Sequence, residues 1–193
     1  MRLFSRLLDM VMGWADHRHA SYYLAGLSFA ESSFFPIPPD VMLAPMTLAK
    51  PEKAWQFALV TTIASVVGGI AGYLIGMFAF ELVEPLLHRA GYWDRYLDAR
   101  EWFAVWGVWV VFLAGFSPIP YKIFTISAGA LNMALMPFII ASIFGRAGRF
   151  YLVAGLMKLG GKKMEEKLHQ YVDVMGWVVV IVAIFAYLLY KYI

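Results

Sequence analysis

The chain has 193 residues, 62% of them hydrophobic and 15% charged, with a formal net charge of +3 and no cysteine. Long stretches nearly free of charge alternate with short basic ones, which excludes an ordinary soluble domain and marks an all-α integral membrane protein. The missing cysteines exclude disulfides and thiolate metal sites, and the scattered positive charge makes no nucleic-acid surface.

In chain order, residues 1–21 open with apolar side chains at helical spacing but carry charges throughout and no small-residue cleavage site, so the reading is an interfacial amphipathic helix, not a signal peptide. Residues 22–49 and 103–131 are apolar segments interrupted by Pro-Ile-Pro, at Pro36 and Pro38 and again at Pro118 and Pro120. Residues 55–80 are an uncharged run long enough to cross a hydrocarbon core of ~30 Å. Residues 134–157 form a second such stretch despite Arg146 and Arg149, and residues 174–190 form a third, with Lys191 as its end anchor. All of this fits one membrane domain over 1–193.

Proline removes a backbone donor and pushes the preceding residue out of the helical region, so neither broken segment is one continuous helix. The arms around the first break are shorter than a crossing needs, which predicts a re-entrant hairpin. Broken backbone at that depth survives only where protein or a water-filled cavity covers it, so two hairpins are expected around one polar cavity. Two proline-kinked spanning helices are the alternative. Both arrangements obey the positive-inside rule and put the N-terminus in the cytoplasm, but they disagree on the side of residues 81–101.

Pairing Pro36 with Pro118 also pairs Phe34 with Phe116, Pro38 with Pro120 and Asp40 with Lys122, and each motif is followed by a long helix. Corresponding interruptions in two halves point to an inverted repeat with a site near the bilayer midplane. Asp40 and Lys122 are then expected to pair or to face one cavity. The ionisable residues at membrane depth are Glu31, Asp40, Lys122, Arg146 and Arg149. Arg146 and Arg149 share a helix face and suit bidentate phosphate recognition, with Lys122 as a third charge. Glu31 and Asp40 balance those bases and are candidates to carry a coupling proton. A purely structural charge network and an inorganic ion path stay open as alternatives.

Residues 31–43, ESSFFPIPPDVML, resemble the first signature of the DedA superfamily, also called SNARE-associated or VTT-domain proteins, on Glu31, Pro36, Pro38 and Asp40. Residues 115–129, GFSPIPYKIFTISAG, resemble the second, and GRAGRFY at 145–151 is similar to the stretch that follows it in the YqaA-like branch. The resemblance implies two opposed re-entrant hairpins plus spanning helices, and movement of a lipid, undecaprenyl phosphate or a glycerophospholipid, across the bacterial inner membrane. Where the family pattern has arginine after the second break, this chain has Tyr121 followed by Lys122, which keeps the charge and loses the guanidinium fork.

Other signals carry less. Gly68, Gly72 and Gly76 form a ladder suited to close helix packing within the chain or in a homodimer. Trp102, Trp106 and Trp109 share a face and read as belt and packing residues. His17, His19, His88 and His169 lack metal-ligand spacing, and no nucleophile motif is present, so neither a cofactor nor an enzymatic reaction is expected. A proton-coupled transporter of a small ion or metabolite is the second functional reading.

Overall fold

A computed structural model of the chain describes residues 19–35, 37–117 and 119–161. Most of the interfacial helix expected over 1–21, the span expected over 174–190, and Pro36 and Pro118 lie outside the described residues. Those residues form helices and no strand. α1 runs Ala20–Ser33, α2 Asp40–Ala49, α3 Ala54–Ala90, α4 Trp93–Phe116 and α5 Tyr121–Ala130, with a short 3-10 turn, Pro51–Lys53, before α3. α6 covers Leu135–Gly161, and α3, α4 and α6 are each long and apolar enough to cross a membrane.

The breaks fall where the prolines put them. α1 ends with the Phe34 and Phe35 amides both bonded to the Ala30 carbonyl. α2 starts on Pro39, whose backbone is already helical and whose carbonyl accepts from Met42 and Leu43. α4 ends at Ser117 in the extended conformation imposed on a residue before proline, and α5 starts after Pro120.

Two expected boundaries differ. Residues 81–101, between the stretches expected over 55–80 and 103–131, are almost wholly helical: α3 continues to Ala90, and α4 begins at Trp93 rather than near 103. The segment is polar, but it holds leucine, glutamate and arginine, good helix formers, and stops only at Gly91, whose φ of 72° is the left-handed helix terminus that glycine adopts freely. Stacked rings close the corner, His88 on Trp93 at 3.9 Å and Tyr96 on Phe80 at 4.5 Å. The second break is therefore preceded by a 24-residue helix, not by a short arm.

Side-chain contacts fix the helix directions. Ser28 donates to the Thr61 carbonyl, Ser32 meets Ser65, and Ser33 donates to the Gly68 carbonyl. Partners advance together, so α1 and α3 run parallel. α4 and α6 are likewise parallel, with Gly145 against Phe112 and Gly115, Gly148 against Phe116, and Arg149 donating to the Ser117 carbonyl. α3 and α6 are antiparallel: Trp55 stacks on Tyr151, Ser65 meets Arg146, and Tyr73 packs on Phe138.

The glycine ladder makes these approaches possible. A Cβ at Gly68 would enter the Phe29 backbone, one at Gly72 the Thr125 hydroxyl, and one at Gly76 the Ile126 carbonyl. The ladder thus seats both α1 and α5 on α3 within one chain. Ser33 sits against Gly68 and Tyr121 against Gly69, so the two breaks meet at the same height on α3.

Candidate functional site

At that height the five ionisable residues singled out from sequence come together. Glu31 comes from the last turn of α1, Asp40 from the first residue of α2, Lys122 from the first turn of α5, and both arginines from α6. They line one cavity of about 110 Å³, room for several waters, walled by residues of both breaks, among them Phe35, Pro38, Ile119 and Pro120.

The pairing differs from the expected one. Asp40 is held by Arg149, whose Nη2 donates to Asp40 Oδ2 at 2.7 Å, rather than by Lys122. Arg146 Nη2 donates to Glu31 Oε2 at the same distance. Lys122 makes no ion pair or hydrogen bond through its side chain among the described residues, but it does face the shared cavity. With two acids balancing two of three bases, the cavity carries one uncompensated positive charge.

Arg146 is 2% exposed and bonded through Nε and Nη2. Its Nε donates to the Ser65 hydroxyl and its Nη2 also reaches Ser32 Oγ at 3.3 Å. The guanidinium lies between the Tyr121 and Phe150 rings, 4.8 and 4.6 Å from their centroids. Stacking of this kind suits the planar, weakly hydrated arginine head. Tyr121 is itself fixed by its hydroxyl bond to Ser142.

Arg149 is held more loosely. Its Nη1 donates to the Ser117 carbonyl at the end of α4, so one side chain connects the start of α2 to the end of α4. Around it, Arg149 Nε, Asp40 Oδ1 and Ser117 Oγ are buried without a hydrogen-bond partner among the described residues.

Sequence reasoning missed Ser32, Ser65, Tyr121, Ser142 and Phe150 as members of the site. Hydroxyls in an apolar helix look like ordinary residues that bond their own backbone, as Thr61 and Thr62 do here. The available signal was height: Ser65 lies midway along the uncharged run, level with the first break. No group of three or more His, Cys, Asp or Glu able to hold a metal ion occurs among the described residues.

The chain is 49% identical over 191 residues to an uncharacterised protein of Haemophilus influenzae, covering 99% of this chain and all of that one. It is 48% identical over 191 residues to an uncharacterised protein of Histophilus somni, with the same coverage. Over 136 residues it is 31% identical to the undecaprenyl phosphate transporter A of Staphylococcus aureus, covering 65% of this chain and 66% of that protein. No solved structure matches it. The profile of the VTT domain matches residues 37–159, a span that holds Pro38, the whole second break and every charged cavity residue except Glu31, and the chain thus belongs to the VTT-domain, or DedA, family of membrane proteins.

Proposed function

We propose that the chain is a lipid translocase of the bacterial inner membrane, moving a phosphate-headgroup lipid such as undecaprenyl phosphate or a glycerophospholipid while its tails stay in the bilayer. The observation that carries this reading is the uncompensated positive charge of Lys122 in a cavity where both breaks meet. α2 and α5 each begin at that cavity, so the positive ends of two helix dipoles add to it. Lys122 stands in the first turn of α5, where a base opposes the dipole. Such a placement costs stability and suits a site that attracts an anion. Lys122, Arg146 and Arg149 supply the positive charge of the headgroup site, with Arg146 held on Glu31; Glu31 and Asp40 balance it and exchange protons if transport is coupled.

In this reading α1 with α2, and α4 with α5, are re-entrant hairpins opposed across the membrane as an inverted repeat, over residues 22–49 and 103–131 of one domain. The parallel courses of α1 with α3 and α4 with α6, against the antiparallel course of α3 and α6, support it. So do the lengths. α2 and α5 have 10 residues each, or ~15 Å, half of a ~30 Å core. The polar start of α4 stands outside the core, and its apolar part, 102–116, reaches ~22 Å and stops inside. Lys50, Lys53 and Lys158 gather near the α3 start, with Lys158 over Trp55 at 5.2 Å, in keeping with a cytoplasmic face there and a cytoplasmic N-terminus.

The undecaprenyl phosphate transporter of Staphylococcus aureus, the relative whose name states a substrate, supports transport of a phosphate lipid rather than catalysis. Proteoliposomes test this with labelled undecaprenyl phosphate and phosphatidylethanolamine in one arm and a soluble anion, inorganic phosphate, in the other. Faster transbilayer movement of either lipid is expected. Phosphate flux without lipid movement would instead establish the small-ion transporter. Single cysteines placed in 81–101 test the topology: labelling only from outside is expected, and labelling only from the cytoplasm would exclude opposed hairpins.

A further inference from the structure

The two arginine pairs differ in how completely they are bonded, and Lys122 has no partner at all among the described residues. From this we infer a partner exchange, which rests on reading the cavity as an anion site: an entering phosphate takes Arg149 from Asp40, and Lys122 becomes the partner of Asp40.

Three observations lead there. First, the Arg149–Asp40 pair keeps unused bonding capacity. Arg149 Nε, Asp40 Oδ1 and Ser117 Oγ are buried and unbonded among the described residues, and polar atoms left in that state cost free energy that a new partner recovers. Arg146, by contrast, is committed to Glu31, Ser32 and Ser65 and clamped between two rings. Second, the heads are chemically unlike. The Arg149 fork matches two phosphate oxygens at once, whereas a lysine ammonium on its flexible stem is a point charge that serves a carboxylate equally well. Phosphate therefore gains more from Arg149 than from Lys122.

Third, once phosphate takes Arg149, moving Asp40 to Lys122 leaves no carboxylate without a base. Asp40 is partly buried, its side chain 22% exposed, and one of its oxygens has no other partner among the described residues, so anion binding at Arg149 is opposed by Asp40 unless another cation receives it. Lys122 lines the same cavity and is available among the described residues. The occupied cavity then pairs Glu31 with Arg146, Asp40 with Lys122, and the phosphate with Arg149, so that no carboxylate is left without a base. On this account Lys122 supports headgroup binding by receiving Asp40.

A double-mutant cycle separates this from direct contact. Geranyl phosphate, a short soluble prenyl phosphate, is titrated calorimetrically into the full chain in nanodiscs, with geraniol as the control for partition into lipid. Lys122→Gln should weaken binding about tenfold in the wild-type background and about twofold or less in Asp40→Asn, where no carboxylate needs a new partner. Asp40→Asn alone should bind at least as tightly as wild type. If Lys122→Gln does not fold, Lys122→Met, which keeps the apolar stem, takes its place in the cycle.

Equal losses in both backgrounds would show that Lys122 touches the phosphate itself and would overturn the exchange while leaving the anion site standing. Identical heats for geranyl phosphate and geraniol in wild type would remove both. Coupled losses seen with inorganic phosphate alone would keep the exchange and assign the site to a free anion.

Discussion

Arg146 and Arg149 stand one turn apart on α6, and each meets an acid from the first half of the chain at 2.7 Å. The side chains of the Arg146–Glu31 pair are 3% and 10% exposed, those of Arg149–Asp40 16% and 22%. The inner pair is enclosed by hydroxyls and rings and fastens α1, α3 and α6 together. The outer pair spans the cavity between the start of α2 and the end of α4 and leaves polar atoms unbonded. Equal length and chemistry do not make the two equivalent, because what surrounds an ion pair decides whether it can open. The inner pair is the more enclosed of the two, and the outer pair is the one for which a partner exchange is proposed.

Removing one member of the inner pair should have the largest effect. Arg146→Ala leaves the Glu31 carboxylate buried and unpaired, a loss of about 3–5 kcal/mol. The expected result is a collapse of the folded fraction in detergent melts, and a melting curve like wild type would break the contrast between the pairs. Next comes the packing that holds the breaks level. Gly76→Ala drives a methyl into the Ile126 carbonyl and should cost about 1–3 kcal/mol, while Gly26→Ala, which meets open space, should be neutral or stabilising by up to about 1 kcal/mol. Tyr121→Phe keeps the ring beneath Arg146 and loses only the bond to Ser142, a cost of about 0.5–1 kcal/mol. A much larger loss would mean that the hydroxyl, not the ring, positions Arg146. The smallest stability change is expected for Arg149→Gln, about 1 kcal/mol or less because the pair is partly exposed. Transport should nevertheless disappear in that variant.

Much of this arrangement was legible in the sequence. Proline chemistry located both breaks, and the cost of charge at membrane depth singled out Glu31, Asp40, Lys122, Arg146 and Arg149, which all line the one cavity. The spacing of Gly68, Gly72 and Gly76 announced close packing, though not that the neighbours would be α1 and α5 of the same chain. The pairing was not legible. Arg146 and Glu31 are 115 residues apart and Arg149 and Asp40 are 109 apart, so their match depends on the register of α6 against α1 and α2, which no local pattern encodes. Tyr121 was read as a replacement for an expected arginine, yet its ring stacks on Arg146, a role visible only once α5 and α6 are packed. Residues 81–101 were misplaced for a simpler reason. The apolar stretch ends at residue 80, whereas helix-forming residues run on to Gly91.

The most direct test of the central claim is the rate of transbilayer movement of labelled undecaprenyl phosphate in proteoliposomes, comparing wild type with Arg149→Ala and Lys122→Ala, with and without a pH gradient. The cavity account predicts acceleration by wild type and its loss in both variants at equal folded fraction. Acceleration that survives in both variants would place the lipid path elsewhere on the molecule and contradict the account.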